Sequence, residues 1–348
     1  MTVERSPIRK TASHRYGFID NAKAIGIILI VLGHSRGLPE GLTRLIFSFH
    51  VPLFFFISGF LVKSGRLDES CYGNAKKVLQ TLGVPYLLFF SFAFLYWLAT
   101  SNVGAKAALN VDRAWYEPFA GLVTGLESDL YVDPPLWFFP CLILTAIAYQ
   151  ASRKLLSLTV STWLFTILAF FLSVLWKYSS YRLPLGLDNM WIALSFYAIG
   201  QYARQKDFSG AMKPAYCISA FVVASALLAY AVSINSRFDL ANMHFGVLPA
   251  LYLPTSWLGI IATLSISRLL PPSGIGNWLS ENTLAIFPAH FIFLSLVRGV
   301  ATSLHLIPAN YNYAIGWSIV SSALAILLCV PLVYFLRRLP LPMYKKAG

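Results

Sequence analysis

Three histidines lie inside long apolar segments of the chain: His34, His50 and His290. An ionisable side chain within a membrane is energetically costly, so each of these histidines is a candidate for function. A neutral imidazole accepts a proton from a hydroxyl near neutral pH, which makes each ring a candidate general base. The structural alternative, for each of them, is a buried histidine that is hydrogen-bonded within the protein.

Lys23 precedes His34 by eleven residues in the first apolar segment. Eleven residues are close to three turns of an α-helix, so both side chains lie on one face, about 16 Å apart along the axis. This spacing predicts a cation that holds a phosphate-bearing donor, whose arm then reaches the imidazole along the same face. The alternative is a surface ion pair of Lys23 with Asp20 and a structural histidine.

The second apolar segment contains a proline close to His50. Pro52 has no backbone N–H, so it frees the carbonyl of Ser48 and predicts a kink beside the histidine. Ser58 follows His50 by about two turns and precedes a glycine. This small pair is either a polar group of the site or a point of close helix contact.

Pro288 loosens the helical turn that carries His290, which either lines a cavity or is a buried structural histidine. The sequence contains no phosphate-binding loop, no dinucleotide fingerprint and no His-x-x-x-His or Cys-x-x-Cys metal spacing. We therefore predict no metal site and no permanently bound cofactor.

The elements that must position these residues are membrane helices. Hydrophobic residues make up 57% of the 348 residues and charged residues only 12%, whereas a soluble domain carries about 25% charged residues. A soluble fold of this length cannot bury so much apolar surface. The composition therefore excludes a soluble enzyme, a soluble nucleic-acid-binding protein and a disordered chain.

Ten apolar segments are long enough to cross a membrane as helices, since a span needs about 20 residues. They cover roughly residues 18–36, 43–63, 78–100, 135–151, 158–177, 189–204, 214–234, 247–269, 279–299 and 313–336. We predict an all-α integral membrane protein in which residues 1–348 form one domain, a bundle of about ten transmembrane helices.

The basic residues predict the orientation of the bundle. With the N-terminus in the cytoplasm, 18 of the 27 Lys and Arg residues fall on the cytoplasmic side, 8 on the outer side and Lys23 near the boundary. We therefore predict that residues 1–16 and 339–348 are cytoplasmic tails. The net charge of +13 then reports orientation and contact with membrane lipid, with no need for nucleic acid.

The longest outer connection, residues 101–134, combines acidic and aromatic side chains, among them Trp115 and Tyr116. It is either an ordinary aromatic belt at the membrane interface or a cap over a substrate entrance, where aromatic faces stack on sugars.

The motifs of the chain resemble those of a known family. The most specific are FIDNAKAIGIILIVLGH at 18–34 and FHVPLFFFISGF at 49–60, and the weaker ones are PLWFFP at 135–140, LDNMW…FYAIG at 187–200 and NTLAIFPAH at 282–290. Their types and order, from about residue 16 to 338, resemble the integral-membrane acyltransferase family 3, in particular its fucose O-acetylase-like and exopolysaccharide acetyltransferase branch.

The resemblance implies transfer of an acyl group, usually acetyl from acetyl-CoA, to a sugar hydroxyl, with His34 as the catalytic residue. Lys23 stands where many members carry arginine, and a lysine binds phosphate as a point charge without the bidentate fork. A second basic pair that is common in the family before the third helix has no clear counterpart here, and Lys76 and Lys77 come earlier in the chain.

These expectations combine into one hypothesis of function. The protein is an acyl-CoA-dependent O-acyltransferase of the bacterial cytoplasmic (inner) membrane that acetylates a hydroxyl of a cell-surface or exported glycan, or of a lipid-linked sugar. Lys23, Lys76 and Lys77 bind the CoA phosphates, while His34 acts as general base or as a covalent acyl carrier.

His50, His290 and Ser58 are the candidates for stabilising the oxyanion or orienting the catalytic imidazole. Two other functions are alternatives to this hypothesis: a proton-coupled secondary transporter of a small solute, and a non-catalytic membrane protein of polysaccharide assembly.

Overall fold

The computed structural model describes residues 16–63, 65, 69–103, 107, 110, 112–179, 181–208, 212–307 and 314–344. Of the predicted cytoplasmic tails, residues 1–15 and 345–348 lie outside the described residues. The helices are α1 Gly17–His34, α2 Glu40–Phe47, α3 His50–Phe60, α4 Cys71–Val78, α5 Val84–Thr100, α6 Pro118–Thr124, α7 Phe138–Ser152, α8 Leu158–Leu175, α9 Leu187–Gln205, α10 Pro214–Ser233, α11 Tyr252–Leu269, α12 Gly274–Glu281, α13 Thr283–Ser303 and α14 Ile315–Leu336.

Short elements connect these helices. A π-helical turn, Leu79–Gly83, joins α4 to α5, and 3₁₀ turns cover Pro134–Trp137, Trp176–Tyr178, Pro184–Gly186, Pro249–Leu251 and Pro342–Tyr344. Two short antiparallel strands, β1 Phe238–Asp239 and β2 His244–Phe245, form a hairpin between α10 and α11.

Within the described ranges, nine helical stretches are long and apolar enough to cross a membrane. All ten predicted segments fall on helices, and nine of them coincide with these stretches, which confirms the all-α membrane bundle. The segment 189–204 forms α9, which is less apolar than the others. Helices α3, α7 and α8 pack against α9, so its polar side chains such as Asp188 and Gln201 are buried in protein.

The helices differ in how much they face the surroundings. About a quarter of α8 and of α10 is buried, and both present apolar side chains such as Ile167 and Val222 to the outside. The stretch Pro134–Ser152, by contrast, is 72% buried. Because exposed apolar faces are stable only against lipid, α8 and α10 lie at the rim of the bundle and α7 in its interior.

The first helix occupies a central position. It packs against α3, α11, α12 and α13, and Ile27, Ile30 and Val31 are fully buried there. It is one continuous helix of 18 residues, which confirms that Lys23 and His34 share a helix at the predicted spacing.

The second predicted segment is broken next to His50. Helix α2 ends at Phe47, and Phe49 leaves the helical conformation with φ −143° and ψ −14°. The Ser48 carbonyl, which has no N–H partner at Pro52, accepts a hydrogen bond of 2.6 Å from the hydroxyl of Ser256 on α11. The predicted disruption is thus present, but the break precedes His50, so that His50 begins a new helix.

Helices α3 and α9 approach each other closely through two glycines. A Cβ atom added to Gly59 would lie 1.9 Å from the Tyr197 carbonyl oxygen, and one added to Gly200 would lie 2.0 Å from that of Phe56. The structural interpretation of the Ser58–Gly59 pair, close helix contact, therefore holds for its glycine.

The hairpin is held to the bundle by Arg182 and by Asp188 and Asn189, two residues of the LDNMW motif. Arg182 forms a 2.5 Å ion pair with the buried carboxylate of Asp188 and donates to the Ala241 carbonyl at 2.8 Å. Asn189 donates to the Leu240 carbonyl. These bonds attach the turn of the hairpin to the start of α9.

Candidate active site

The three intramembrane histidines meet at one place. His34 ends α1, His50 begins α3 and His290 lies in the middle of α13. The ring centroid of His34 is 4.9 Å from that of His290 and 6.2 Å from that of His50. Phe47 packs against two of these rings, 5.5 Å from His34 and 4.9 Å from His50. The sequence could not show this convergence, because the residues are far apart in the chain.

Hydrogen bonds assign the same tautomer to the three rings. The Nδ1 atom of His34 lies 2.9 Å from the Ile30 carbonyl oxygen, and that of His50 lies 2.8 Å from the Ile46 carbonyl oxygen. His290 Nδ1 makes the corresponding bond to Phe287. A carbonyl only accepts, so Nδ1 carries the proton and Nε2 of each neutral ring carries a lone pair. This is the form of imidazole that takes a proton from a hydroxyl.

The surroundings of the three Nε2 atoms differ. His290 is completely buried, and its Nε2 has no hydrogen-bond partner. His34 is partly exposed and lines two clefts. His50 is buried but lines the first of these clefts. Of the three, His34 is therefore the ring that lines a cleft on each of two sides.

The first cleft combines aromatic rings and acids around the histidines. It is lined by His34, Phe47, His50, Val51, Glu127, Pro135, Trp137, Asp239, Leu240, Ala241 and Phe287. A few polar groups in a largely apolar, aromatic wall are typical of a small-molecule site. The connection 101–134 contributes Glu127 to the lining of this cleft. Its Trp115 and Tyr116 are exposed and line neither cleft, so the cap over a substrate entrance stays a prediction.

Two carboxylates in this cleft were not assigned to the site from the sequence. Asn242 Nδ2 donates to Glu127 and, at 3.2 Å, to Asp239 Oδ2, so one amide bridges both acids. Burial, together with the nearby negative charge of Asp239, raises the pKa of Glu127 to about 7. The only sequence signal was the excess of acids in the predicted outer loops.

The second cleft lies on the other side of His34. It is lined by His34, Ser35, Arg36, Phe291, Leu294, Ser295, Arg298, Trp317 and Ser321. Its charged residues are arginines, whereas those of the first cleft are acids. His34 thus lies at the junction of an acidic and a basic cleft.

Lys23 and Ser58 lie toward the opposite end of the helices. Phe60, at the end of α3, packs on Tyr16 at 5.3 Å between ring centroids, so α3 ends where α1 begins. Ser58 is eight residues from His50, about 12 Å along the helix. This position places Ser58 away from the three histidines, so the structure does not bring it together with them.

The other predicted donor-binding residues lie on α4, which packs against α7. Lys76 is exposed. Lys77 Nζ lies 2.7 Å from both carboxylate oxygens of Glu69, in an exposed ion pair. The structure thus does not gather Lys76 and Lys77 with the histidines, and Lys77 already has a carboxylate partner. Among the described residues, no group of three or more His, Cys, Asp or Glu is arranged to hold a metal ion.

Comparison with known proteins adds one finding. A family model described as an acyltransferase domain matches residues 16–335, which include the three histidines and both clefts. No curated protein and no solved structure matches the chain. Because the match covers nearly the whole chain and its apolar helices make it a multi-pass membrane protein, the chain belongs to the integral-membrane acyltransferase family 3.

Proposed function

We propose that this membrane acyltransferase moves an acetyl group from acetyl-CoA to a hydroxyl of a cell-surface or exported glycan, with His34 as the general base. The observation that carries the proposal is the position of His34 at the junction of two clefts. Its Nδ1 is engaged by the Ile30 carbonyl, which leaves the Nε2 lone pair for the substrate.

The proposed reaction is a direct transfer. His34 Nε2 takes the proton of the acceptor hydroxyl as the hydroxyl oxygen attacks the thioester carbon. The tetrahedral intermediate collapses with cleavage of the C–S bond, and the imidazolium returns the proton to the departing CoA thiolate. The products are the acetate ester and CoA, and His34 ends in its starting form.

The donor is proposed to enter from the end of α1 that carries Lys23. The ammonium of Lys23 stands about 16 Å along the helix from His34, a distance that an extended pantetheine arm covers. Lys23 is half-buried, so a phosphate beside it is partly shielded from water. Lys76, which is exposed, and Lys77, which first has to release Glu69, are proposed as outer contacts for the nucleotide part of CoA.

His50 and His290 are proposed to act through His34. In their neutral form both present a lone pair at Nε2, so neither donates a hydrogen bond to an oxyanion. The Nε2 lone pair of either ring does, however, stabilise the imidazolium that forms when His34 takes up a proton. The unpartnered Nε2 of His290, in a ring 4.9 Å from that of His34, supports this role when His34 holds the proton.

The test uses the purified full-length protein in detergent or vesicles with radiolabelled acetyl-CoA and a membrane glycan fraction. We expect CoA release that depends on the acceptor, and we expect His34→Ala to lower the rate by about 10²–10⁴-fold, the usual contribution of a general base. His305→Ala is the matched control, because His305 is exposed beyond the end of α13 and lines neither cleft.

Three outcomes contradict the proposal or one of its parts. A folded His34→Ala protein with a near-normal rate rejects the general base. Flux of a solute across vesicles without any release of CoA supports the transporter alternative instead. Trapping of a labelled acetyl-protein that depends on His34 replaces direct transfer by the covalent route.

A further inference from the structure

We propose that Glu127 and Asp239 bind hydroxyl groups of the acceptor, so that the cleft takes an uncharged, polyhydroxylated ring and positions one further hydroxyl at His34. The inference rests on the function proposed above and specifies the chemical class of the acceptor. The first argument is location, since both carboxylates line the same cleft as His34 and His50.

The two carboxylates are held in place by one amide. Asn242 Nδ2 donates to an oxygen of Glu127 and, at 3.2 Å, to Oδ2 of Asp239. A carboxylate has about four lone-pair positions. Glu127 therefore keeps positions for a substrate beside its bond from Asn242, whereas Asp239 also accepts from the Asn242 backbone N–H at 3.4 Å and from Arg237 at 3.5 Å and keeps fewer. Hydroxyl groups on neighbouring carbons of a sugar ring are donors of the required kind.

The walls of the cleft fit the remainder of such a ring. Phe47, Trp137 and Phe287 are aromatic, and the C–H faces of a sugar pack on aromatic surfaces. An apolar wall with a few convergent polar groups fixes the orientation of a small ligand. The same cleft is thus lined by aromatic rings, by two carboxylates that accept hydrogen bonds from hydroxyls, and by His34.

The charge of the lining opposes an anionic acceptor ring. Glu127 and Asp239 are the charged residues that line the cleft. Arg237 lies beside it, over the Phe47 ring at 4.3 Å and 3.5 Å from Asp239, while Arg182 is committed to Asp188. A carboxylate on the acceptor ring would face two acids, which disfavours it by like-charge repulsion.

Separate parts of the fold bring these acids together. Glu127 follows α6 in a turn where Thr124 donates to Asp129 Oδ2 at 2.7 Å. Asp239 lies on the hairpin, whose Phe238 side chain points into the core and packs on Tyr252, 5.5 Å between ring centroids. Alternation along a strand turns Asp239 to the opposite face, toward the cleft. The hairpin, which the sequence did not predict, therefore places Asp239 at the cleft.

The ionisation of Glu127 adds a measurable signature. With a pKa of about 7, Glu127 is about one tenth ionised at pH 6 and about nine tenths ionised at pH 8. The ionised form is the better acceptor of hydroxyl hydrogen bonds, so the KM for the acceptor falls as the pH rises through 7. Asp239, Arg237, Arg182 and the histidines also face this region, and the Glu127→Gln variant isolates the contribution of Glu127.

The test measures transfer from radiolabelled acetyl-CoA by the purified protein and by its Glu127→Gln and Glu117→Gln variants. Glu117 is the matched control, because it lies in the same outer connection, pairs with Arg113 and lines neither cleft. The acceptor probes are methyl glucoside and methyl glucuronide, which differ by a carboxylate. Each is used as an acceptor and as a competitor of transfer to the membrane glycan.

We expect the glucoside to accept or compete and the glucuronide to do so at least tenfold less well. Glu127→Gln should raise the acceptor KM about tenfold, as for the loss of a hydrogen bond to a charged group. The KM for acetyl-CoA should not change, and the fall of acceptor KM between pH 6 and 8 should disappear. Glu117→Gln should behave as the unaltered protein.

The inference is overturned if Glu127→Gln leaves the acceptor KM and its pH dependence unchanged, if the glucuronide is preferred, or if the glucoside neither accepts nor competes while the membrane glycan is acetylated. In each of these cases acyl transfer persists and the proposed function stands. Absence of CoA release by the folded, unaltered protein with every acceptor overturns the proposed function as well.

Discussion

At the scale of single residues, the site consists of imidazoles whose protonation pattern is set by their own helices. Each Nδ1 is bonded to a backbone carbonyl three or four residues earlier. The rings are therefore oriented without help from a carboxylate partner. This arrangement fixes the orientation of the His34 ring, which lines both clefts.

Lys23 offers a residue-scale test of donor binding. We expect Lys23→Ala to raise the KM for acetyl-CoA about tenfold, because a charge-assisted contact to phosphate is lost, with little change in the acceptor KM. Lys23→Arg should retain most of the affinity, since it keeps the charge and offers two N–H groups that bind a phosphate in a bidentate manner. Steady-state kinetics with varied acetyl-CoA measures both effects.

Lys213→Ala is the control for Lys23. Lys213 is an exposed lysine at the start of α10, on the side predicted to be cytoplasmic. An unchanged acetyl-CoA KM in Lys23→Ala, or an equal increase in Lys213→Ala, would contradict a specific phosphate contact at Lys23.

The residue scale also separates what the sequence could predict from what it could not. His34, His50 and His290 were identifiable because ionisable residues are rare in apolar segments. Ser58 was suggested by its two-turn spacing from His50, but eight residues along a straight helix carry it to the far end. Glu127 lies in a loop without periodicity, so only the fold brings it to the cleft.

At the scale of elements, the contact between α3 and α9 depends on the absence of two side chains. Gly200→Ala would place a Cβ 2.0 Å from the Phe56 carbonyl oxygen, so the backbones must separate. We expect a loss of about 1–3 kcal/mol in the free energy of unfolding, as for overpacked cores. Thermal unfolding in detergent, followed by circular dichroism, measures the decrease in Tm.

Gly299→Ala is the control, since Gly299 lies within α13 and nothing is within 4 Å of an added Cβ. Alanine is the better helix former by about 1 kcal/mol, so this variant should be neutral or stabilising. Equal Tm values for the two alanine variants would show that the α3–α9 contact tolerates a side chain.

The hairpin gives a second prediction about elements. Asp188→Ala leaves the guanidinium of Arg182 without its carboxylate partner at a largely buried position. Breaking a buried ion pair by removing one partner costs about 3–5 kcal/mol, so Tm and the proteolytic protection of residues 235–246 should both decrease. The double variant with Arg182→Leu should recover part of the Tm. A double variant no more stable than Asp188→Ala would contradict the ion-pair explanation.

The sequence predicted the helices that have long apolar segments, and it did not predict the two short strands. The ten apolar segments correspond to helices because each repeats its signal over about 20 residues. Pro52 predicted a disruption of the helix near His50. The exact place of the break involves a residue of another helix, because the hydroxyl of Ser256 on α11 donates a hydrogen bond to the Ser48 carbonyl. Strands of two residues carry no periodicity, so the hairpin was not predicted.

At the scale of the whole molecule, hydrogen bonds between connecting segments define two groups of segments, one at each end of the bundle. At one end, Ser280 donates to Asp20 at 2.6 Å and Arg204 donates to the Phe60 carbonyl. At the other, Asn242 bridges to Glu127, and Ser318 donates to the Arg36 carbonyl. The first set comes from segments predicted to face the cytoplasm and the second from segments predicted to face outward. The bundle is therefore consistent with the sides assigned from the basic residues.

Cysteine labelling tests which end faces the cytoplasm. Cys71 is exposed, whereas Cys141, Cys217 and Cys329 are buried. The excess of basic residues on the side of Cys71 predicts a cytoplasmic location, so a membrane-impermeant maleimide should label Cys71 only after permeabilisation. Ser128→Cys in a Cys71→Ser background places a thiol on the exposed turn beside Glu127, and this thiol should react in intact cells.

The reverse labelling pattern would contradict both the orientation and the direction of the reaction. Acetyl-CoA is made in the cytoplasm, so the Lys23 end of α1 must open there if it receives the donor. The acidic cleft must then open outward, where an exported glycan is reached. A label on Cys71 in intact cells would place Lys23 outside, and acetyl-CoA would then have to reach His34 through one of the two clefts at the other end of α1. The acidic cleft would repel the phosphates of CoA, whereas Arg36 and Arg298 of the second cleft would attract them. The labelling pattern therefore decides the direction of transfer, which the charges of the two clefts alone do not.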